Sequence, residues 1–153
     1  MGVPMGEKYA FVMMIKEKWW NEFCDNNRQG KKIHSYIQKG AAPPKDARLV
    51  LFYVTKPVGE IAGYAELIER KVGNADELWE KYGQESVLKT GKQFEEFIME
   101  KQKVSFIRFN KLYEATKPVP LNNVLVLLGM KRLSRKGFYI NKEITHTLLT
   151  SME

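Results

Sequence analysis

Residues 48–69 read RLVLFYVTKPVGEIAGYAELIE, and this stretch decides the fold. Its first part, residues 48–54, is an apolar run that predicts a central, buried strand. Lys56-Pro57-Val58-Gly59 then forms a turn, and residues 60–69 return as the partner strand. Gly63 within the second strand indicates a bulge or sharp bend, the device that closes small barrels. The stretch therefore predicts a strand pair in a small β-barrel.

Four further segments have the patterns of strands. Residues 9–15 form a short apolar run, residues 31–37 alternate polar and apolar positions, and residues 137–140 form a last strand. Residues 104–113 alternate most clearly. The two faces of that strand carry Ser105, Ile107, Phe109, Lys111 and Tyr113 on one side and Val104, Phe106, Arg108, Asn110 and Leu112 on the other. The sequence Lys-Pro-Val-Pro at 117–120 is expected to break this strand.

A helix is expected after the first strand, because apolar residues recur there at helical spacing. The repeating positions are Ile15, Trp19, Phe23 and Cys24, and the helix is predicted to end near residues 26–27. Trp19 is therefore expected in the core, while the role of Trp20 stays open. Cys24 lies on the same stripe and is expected to be a buried core residue rather than a nucleophile.

Capping patterns predict three more helices. Asn74 and Thr90 each stand three residues before a Glu or Gln, and Asn141 precedes a C-terminal apolar stripe. Residues 122–130 are compatible with a helix or a strand. Strands and helices do not alternate regularly, which argues against a doubly wound parallel sheet. We expect one α+β domain spanning residues 1–153, mainly β with helices, built as a small β-barrel decorated by about four helices.

The charge of the chain is basic, with 25 Lys and Arg against 18 Asp and Glu and a net charge of +7. A basic domain attracts polyanions, and nucleic acid is the commonest polyanion in a cytoplasm. A solvated surface with excess lysine is the alternative. Acidic residues cluster between residues 66 and 100, whereas residues 28–56 and 101–142 are rich in Lys and Arg. Two separate basic stretches are thus available to form one basic face.

Several classes of protein are excluded or disfavoured. The single cysteine rules out an intrachain disulfide and a multi-cysteine metal site. No ligand pattern accompanies His34 or His146, so neither a metal nor a cofactor is expected. The chain has no apolar run of membrane-spanning length, and its first residues lack the features of a signal peptide. A cytoplasmic location is therefore expected.

The order of several motifs resembles the ASC-1-homology (ASCH) family of the PUA-like superfamily. Gly30-Lys31-Lys32 opens a short strand as in that family, and the similarity continues through residues 45–53, 58–66 and 77–83. It reaches Ile107-Arg108-Phe109 and residues 117–121, while residues 137–140 are similar to the end of EVE and YTH-like domains. An archaeal group within the superfamily is the expected relative. After the lysines the family has Thr and then an acid and an Arg, whereas this chain has Ile33, His34, Ser35, Tyr36 and Ile37, so the acid and the Arg are missing.

The resemblance implies a module that binds RNA, often at a modified base, in a cleft beside the barrel. The cleft would lie between the Gly-Lys-Lys strand, the loop that follows and the late strand bearing Arg108. Single-stranded, structured or modified RNA is the expected partner, and the sequence leaves the oligomeric state open. The expected nucleic-acid-binding residues are Lys31, Lys32, His34, Tyr36, Lys39, Lys56, Arg108 and Asn110.

The individual site residues have alternative roles. His34 and Tyr36 share one strand face and suit base stacking beside lysines, although packing in the core is equally compatible. Arg108 interrupts an apolar face and requires a partner, either Glu66 or Glu69 in an ion pair or a ligand at the cleft floor. A basic segment holding Lys131, Arg132, Arg135 and Lys136 suits phosphate steering or a solvated loop.

A non-catalytic role is favoured, and a small amidohydrolase is the alternative. One ASCH branch is similar to an enzyme that releases acetyl from N4-acetylcytidine with a Lys, a Thr three positions later and a downstream Glu. By that motif, Lys32, Ser35 and Glu85 would be catalytic, with the lysine activating the hydroxyl or a water.

Overall fold

A computed structural model describes residues 8–153 of the chain. Its strands are β1 Ala10–Ile15, β2 Ile33–Lys39, β3 Leu49–Val54, β4 Glu60–Asn74, β5 Lys103–Pro120 and β6 Phe138–Ile140. Its helices are α1 Glu17–Arg28, α2 Ala75–Tyr82, α3 Gly91–Ile98, α4 Leu121–Leu128 and α5 Lys142–Ser151, and a 3₁₀ turn spans Gly83–Glu85. The expectation about a signal peptide concerns residues outside the described part.

The strands form one six-stranded sheet in the order β2-β5-β4-β3-β1-β6. The pair β1 and β3 is parallel, and the other pairs are antiparallel. The prediction of an α+β fold is confirmed, with five α-helices in the described residues where about four were expected. The prediction of a closed barrel is wrong: within residues 8–153, β2 and β6 are opposite edges of the sheet and do not pair. The three-residue β6 pairs only with β1 among the described strands.

Two long strands, β4 of 15 residues and β5 of 18 residues, form the centre of the sheet. Their register shifts next to Gly63, which confirms the predicted bulge. A Cβ at Gly63 would stand 2.1 Å from the Tyr113 carbonyl oxygen and 2.8 Å from the Trp20 ring. Glycine is therefore required where the two strands and α1 approach each other most closely.

The end of β5 differs from the prediction. Residues 117–120 continue the strand instead of breaking it, with Val119 opposite Ile61 and Pro120 opposite Glu60. The neighbouring strand β2 pairs with β5 only as far along β5 as Asn110. The part of β5 after Asn110 therefore has β4 as its only strand neighbour among the described residues. Proline lacks an N–H and is tolerated in such an edge position because no second ladder has to be satisfied.

Helix α1 packs on the sheet by a face rotated from the predicted one. Trp20 is buried against Phe52, with ring centroids 5.1 Å apart, whereas Trp19 is only partly buried. Cys24 is buried as predicted. Burial, reinforced by the charge of Glu114, raises the pKa of the Cys24 thiol to about 12, so the sulfur stays protonated and unreactive at neutral pH.

Local capping signals in the sequence are confirmed. The side chains of Asn74, Thr90 and Asn141 accept hydrogen bonds from backbone N–H groups three residues later. Residues 122–130, whose sequence is compatible with a helix or a strand, lie mostly in α4. This helix is followed by Gly129 in a left-handed conformation. No helix in the described part of the chain has the length and apolar character needed to cross a membrane.

Candidate functional site

Three neighbouring strands align polar residues in one row across the sheet. Ser35 of β2 lies opposite Arg108 of β5, and Arg108 lies opposite Glu69 of β4. Side chains of paired residues point to the same face of a sheet, so the three project together. The segments that the sequence placed at one cleft, the early lysine-bearing strand and the late arginine-bearing strand, are therefore direct neighbours.

Arg108 is the centre of this row and is paired with two carboxylates. Its Nε and Nη2 atoms donate to the two oxygens of Glu85 at 2.8 and 2.9 Å, and Nη1 donates to Glu69. The Tyr82 ring covers the guanidinium, with 4.5 Å between Cζ and the ring centroid. The Arg108 side chain is 14% exposed. The hydrogen bonds that Arg108 donates to Glu85, and the one that it donates to Glu69, raise the pKa of the Arg108 guanidinium and keep this group charged.

Glu85 is brought to the row by the 3₁₀ turn that follows α2. Gly83 begins that turn beneath Trp79, where a Cβ would stand 2.7 Å from the indole ring. Trp79 in turn stacks on Phe94 of α3, with ring centroids 4.7 Å apart. The turn is thereby fixed between two helices, and its carboxylate points at β2 and β5.

The carboxylate of Glu85 also accepts a hydrogen bond from the Ser35 hydroxyl, with 2.8 Å between Oγ and Oε1. Burial raises the pKa of Glu85, but the hydrogen bonds from Arg108 and Ser35, with the charges of Arg108 and Lys31, outweigh burial and lower it. Glu85 is therefore ionised at neutral pH. In this state it accepts protons or hydrogen bonds and has no proton to donate.

Lys31 stands beside this carboxylate. Its Nζ donates to the Gln84 carbonyl oxygen. Burial lowers the pKa of Lys31, and the charge of Glu85 opposes that effect. Lys32, the lysine expected to be catalytic, is instead exposed. The polar cluster of the site thus consists of Lys31, Ser35, Glu69, Glu85 and Arg108, and we call it the Arg108 cluster.

Two of the expected nucleic-acid-binding residues lie on the opposite face of β2. His34 is 0% exposed, and its ring stacks on Phe109 at 5.3 Å and meets Phe23 edge-on. Burial, with the charge of Lys31, lowers the pKa of His34 to about 4, so the imidazole is neutral at neutral pH. Tyr36 also contacts Phe23, and its hydroxyl donates to the Met14 carbonyl oxygen at 3.4 Å. The His34 ring therefore has no face open to a base, whereas the Tyr36 ring is partly buried.

The remaining expected site residues are spread over the sheet. Asn110 lies opposite Ile33, two positions along the strands from Ser35 and Arg108 and on the same face of the sheet. Lys39 ends β2, where its Nζ lies 5.6 Å from the centroid of the Phe97 ring. Lys56 lies in the turn before β4 begins, whereas Lys39 is in the row that crosses β4 near its end. The Arg108 cluster includes Glu69 in the second half of β4, so Lys56 is separated from the cluster by more than half of that strand.

Of the two ion-pair partners considered for Arg108, Glu69 is the one that the structure shows. Glu66 pairs instead with Lys111 at 3.4 Å. No pattern in the sequence connected Arg108 with Glu85, its bidentate partner. The available signals were an arginine on an apolar strand face, which needs an anion, and an acidic residue placed just after a capped helix.

Two open clefts flank the Arg108 cluster. One cleft has a volume of about 740 Å³ and includes Lys31 and Gln84 in its wall. The other has a volume of about 1030 Å³ and includes Glu69. Within residues 8–153, no three His, Cys, Asp or Glu side chains converge as a metal site. His146 contacts the ring of Tyr9.

No family model matches the sequence. An ASCH domain-containing ribonuclease of Zymomonas mobilis is 24% identical over 131 residues, 86% of each chain. ATP synthase subunit alpha of Ureaplasma parvum is 25% identical over 115 residues, and this match covers 75% of the chain but only 14% of that protein. The expectation of an archaeal relative has no support, since the ribonuclease is bacterial.

Solved structures show the same fold. A serine-to-alanine variant of the ASCH protein from Zymomonas mobilis superposes with a TM-score of 0.78 at 19% identity, covering 96% of this chain and 99% of that one. The unsubstituted protein superposes with a TM-score of 0.74 at 21% identity, covering 94% and 96%. Rpa0253 from Rhodopseudomonas palustris gives a TM-score of 0.51 at 12% identity, covering 94% and 92%. The chain has the α+β fold of an ASCH domain.

Replacing Arg108 by Gln is expected to destabilise the fold by about 3 kcal/mol, because it leaves the mostly buried carboxylate of Glu85 without its cation, whereas the more exposed Glu69 keeps Lys71. Urea unfolding followed by circular dichroism measures the change. Adding Glu85→Gln to the variant should restore part of the loss, since it removes the unpaired charge.

The matched control is Arg28→Gln, which removes an exposed arginine that also pairs with two acids, Asp25 and Glu114. Solvent screens both of these exposed ion pairs, so we expect Arg28→Gln to cost much less stability than Arg108→Gln. Equal losses for Arg28→Gln and Arg108→Gln would contradict a special structural role of the Arg108 cluster.

Proposed function

We propose that this chain is an RNA-binding domain of the PUA-like superfamily that acts in the cytoplasm and recognises single-stranded, structured or modified RNA. Three independent features support the proposal. The fold is that of an ASCH protein, and a relative of similar length is named a ribonuclease. The net charge of +7 favours a polyanionic partner. The Arg108 cluster supplies a polar surface between two clefts.

The single observation that carries the proposal is the row Ser35–Arg108–Glu69 with Glu85 above it. Arg108 uses its hydrogen bonds on Glu69 and Glu85, so it organises these carboxylates rather than neutralising phosphate. An ionised carboxylate repels phosphate but accepts hydrogen bonds from base amino groups and from a ribose 2′-OH. The cluster therefore suits the donor edge of a nucleotide whose phosphates lie on nearby lysines.

Lysines near the cluster provide the phosphate contacts in this proposal. Lys32 is exposed immediately before β2, and Lys31 lines the adjoining cleft. Asn110 adds an amide in the next row of the sheet. The buried ring of His34 supports β2 from behind, in place of the stacking role expected from the sequence, and the partly buried ring of Tyr36 packs beside it. Single-stranded segments fit best, since base edges are accessible there.

The affinity for RNA is expected to depend on salt and on Lys32. A titration of labelled oligocytidylate, whose bases carry an amino group, by fluorescence anisotropy over a series of salt concentrations measures both. Lys32→Gln removes one phosphate contact, which weakens binding about fivefold at about 0.1 M salt and lowers the salt slope by about 0.7. Lys56→Gln removes the same charge at the far end of β4 and should change neither quantity.

Heparin serves as the polyanion without bases in this experiment. A domain that reads nucleotides should bind RNA more tightly than heparin at each salt concentration. Equal affinities across the series would contradict the proposal, because they would reduce the interaction to surface charge.

A second candidate function is hydrolysis of a modified nucleoside, which the hydrogen bond between Ser35 and Glu85 favours. Glu85 is ionised and positioned to take a proton, and burial lowers the pKa of Lys31 nearby. Ser35 is 1% exposed, so a water activated by Glu85 is the better placed nucleophile. Lys31 occupies the place beside the carboxylate that the sequence motif assigned to Lys32.

The substrate that tests this candidate is N4-acetylcytidine, whose hydrolysis consumes one water and gives acetate and cytidine. Chromatography of the products follows the reaction. The candidate predicts cytidine release by the native protein and its loss in Glu85→Gln. Absence of cytidine with the native protein would eliminate this function and leave the RNA-binding proposal intact.

A further inference from the structure

An open cleft of about 1030 Å³ lies beside the part of β4 that extends past β3. The pairing of these strands ends with Leu49 opposite Glu66. From residue 67 onwards, the side of β4 turned away from β5 therefore has no strand neighbour within the described residues. Residues 45–48 form the opposite wall of the cleft, and Ile68, which is 39% exposed, adds apolar surface to it.

The charges around this cleft are mainly positive. Its lining contains four cations, Lys8, Lys45, Arg48 and Arg70, against two acids, Asp46 and Glu69. Glu69 is already paired with Arg108 and lies 3.5 Å from the Nζ atom of Lys71. One of the two acids is thus compensated from outside the cleft lining, which increases the attraction of the cleft for an anion.

The loop that carries Lys45 and Arg48 is held at both ends. The backbone N–H of Arg48 donates to the Tyr9 carbonyl oxygen at 2.8 Å, and its own carbonyl oxygen accepts from the Leu67 N–H at 2.9 Å. The backbone N–H of Lys45 donates to the Tyr139 hydroxyl at 2.8 Å. These bonds fix the wall of the cleft before any ligand arrives, which lowers the entropic cost of binding.

Arg70 closes the cleft from the β4 side and also anchors the loop. Its Nη1 atom donates to the Ala42 carbonyl oxygen at 3.0 Å, and the Ala42 N–H donates to Ser105 Oγ at 2.9 Å. Arg70 follows Glu69 directly in the chain, and Glu69 is bonded to Arg108. Successive residues of a strand point to opposite faces, so the connection between the cleft and the Arg108 cluster is made by Glu69, which lines the cleft and is bonded to Arg108.

We infer that this cleft binds the sugar-phosphate backbone of a single RNA strand whose neighbouring nucleotide reaches the Arg108 cluster. The inference rests on the proposed RNA-binding function and adds a second contact surface, formed by Lys8, Lys45, Arg48 and Arg70. Lysine and arginine at the rim contact successive phosphates, and Ile68 offers an apolar contact to a ribose or base. Because phosphate contacts carry no base information, this surface contributes affinity and register rather than sequence preference.

The test is the combined variant Lys8→Gln, Lys45→Gln and Arg48→Gln, titrated with a labelled oligocytidylate of about twelve nucleotides. All three side chains are exposed, so the variant should keep the native circular dichroism and melting temperature. Loss of three phosphate contacts weakens binding about a hundredfold at about 0.1 M salt and lowers the salt slope by about 2.

The charge-matched control is Lys16→Gln, Lys18→Gln and Lys117→Gln. Lys16 and Lys18 follow the end of β1, whereas Lys8 and Arg48 precede the starts of the parallel strands β1 and β3. Lys117 lies near the residues of β5 that pair with the start of β4. The control variant therefore loses three exposed positive charges at the opposite end of these strands, and its affinity should stay within about twofold of the native value.

The outcomes separate this inference from the proposed function. Weaker binding by the cleft variant with an unchanged control supports the inference. Equal weakening of the two variants, or no weakening of either while the native protein binds RNA, overturns the inference and leaves the proposed function standing. Absence of RNA binding by the native protein overturns both.

Discussion

The guanidinium group of Arg108 constrains the rest of this structure. It stands on the central strand β5 with 14% of its side chain exposed, and a charge so placed requires anionic partners. Glu69 comes from the adjacent strand, and Glu85 comes from a turn that two helices hold over the sheet. One cation thus joins β5, β4 and the segment after α2, and Ser35 links β2 to the same carboxylate.

The electrostatics of the Arg108 cluster separate the roles of its members. Glu85 is ionised because the hydrogen bonds and charges around it outweigh burial, and Lys31 has a lowered pKa because burial outweighs the attraction of Glu85. His34, behind the sheet, is neutral at neutral pH and adds no charge. The cluster therefore offers acceptors for a nucleotide edge, whereas the cations available to phosphate lie around it.

Much of the fold was predictable from local sequence patterns. The caps at Asn74, Thr90 and Asn141, the bulge at Gly63 and the burial of Cys24 were each encoded within a few residues and are confirmed. Features that depend on distant partners were not predictable. The prolines after residue 116 continue β5 because β2 does not extend to them, and the sheet stays open because the edge strands β2 and β6 do not pair.

The candidate site shows the same division. The order of motifs predicted that β2 and β5 line the same cleft, and the two strands are indeed paired in the sheet. The orientation of His34 and Tyr36 did not follow, since alternation shows that two residues share a face but not which face meets the core. The pairing of Arg108 with Glu85 joins residues 23 positions apart, a distance that no local rule covers.

The central claim is that RNA crosses the face of the sheet that bears Arg108. Ultraviolet crosslinking of a single-stranded RNA to the native protein, mapped by mass spectrometry of the attached peptides, tests it most directly. We predict crosslinks in peptides containing residues 31–33 and 82–85, and in peptides from the wall of the β4 cleft at residues 45–48 and 68–70. Crosslinks confined to the basic loop at residues 131–136, or scattered over all lysine-rich segments, would contradict the account.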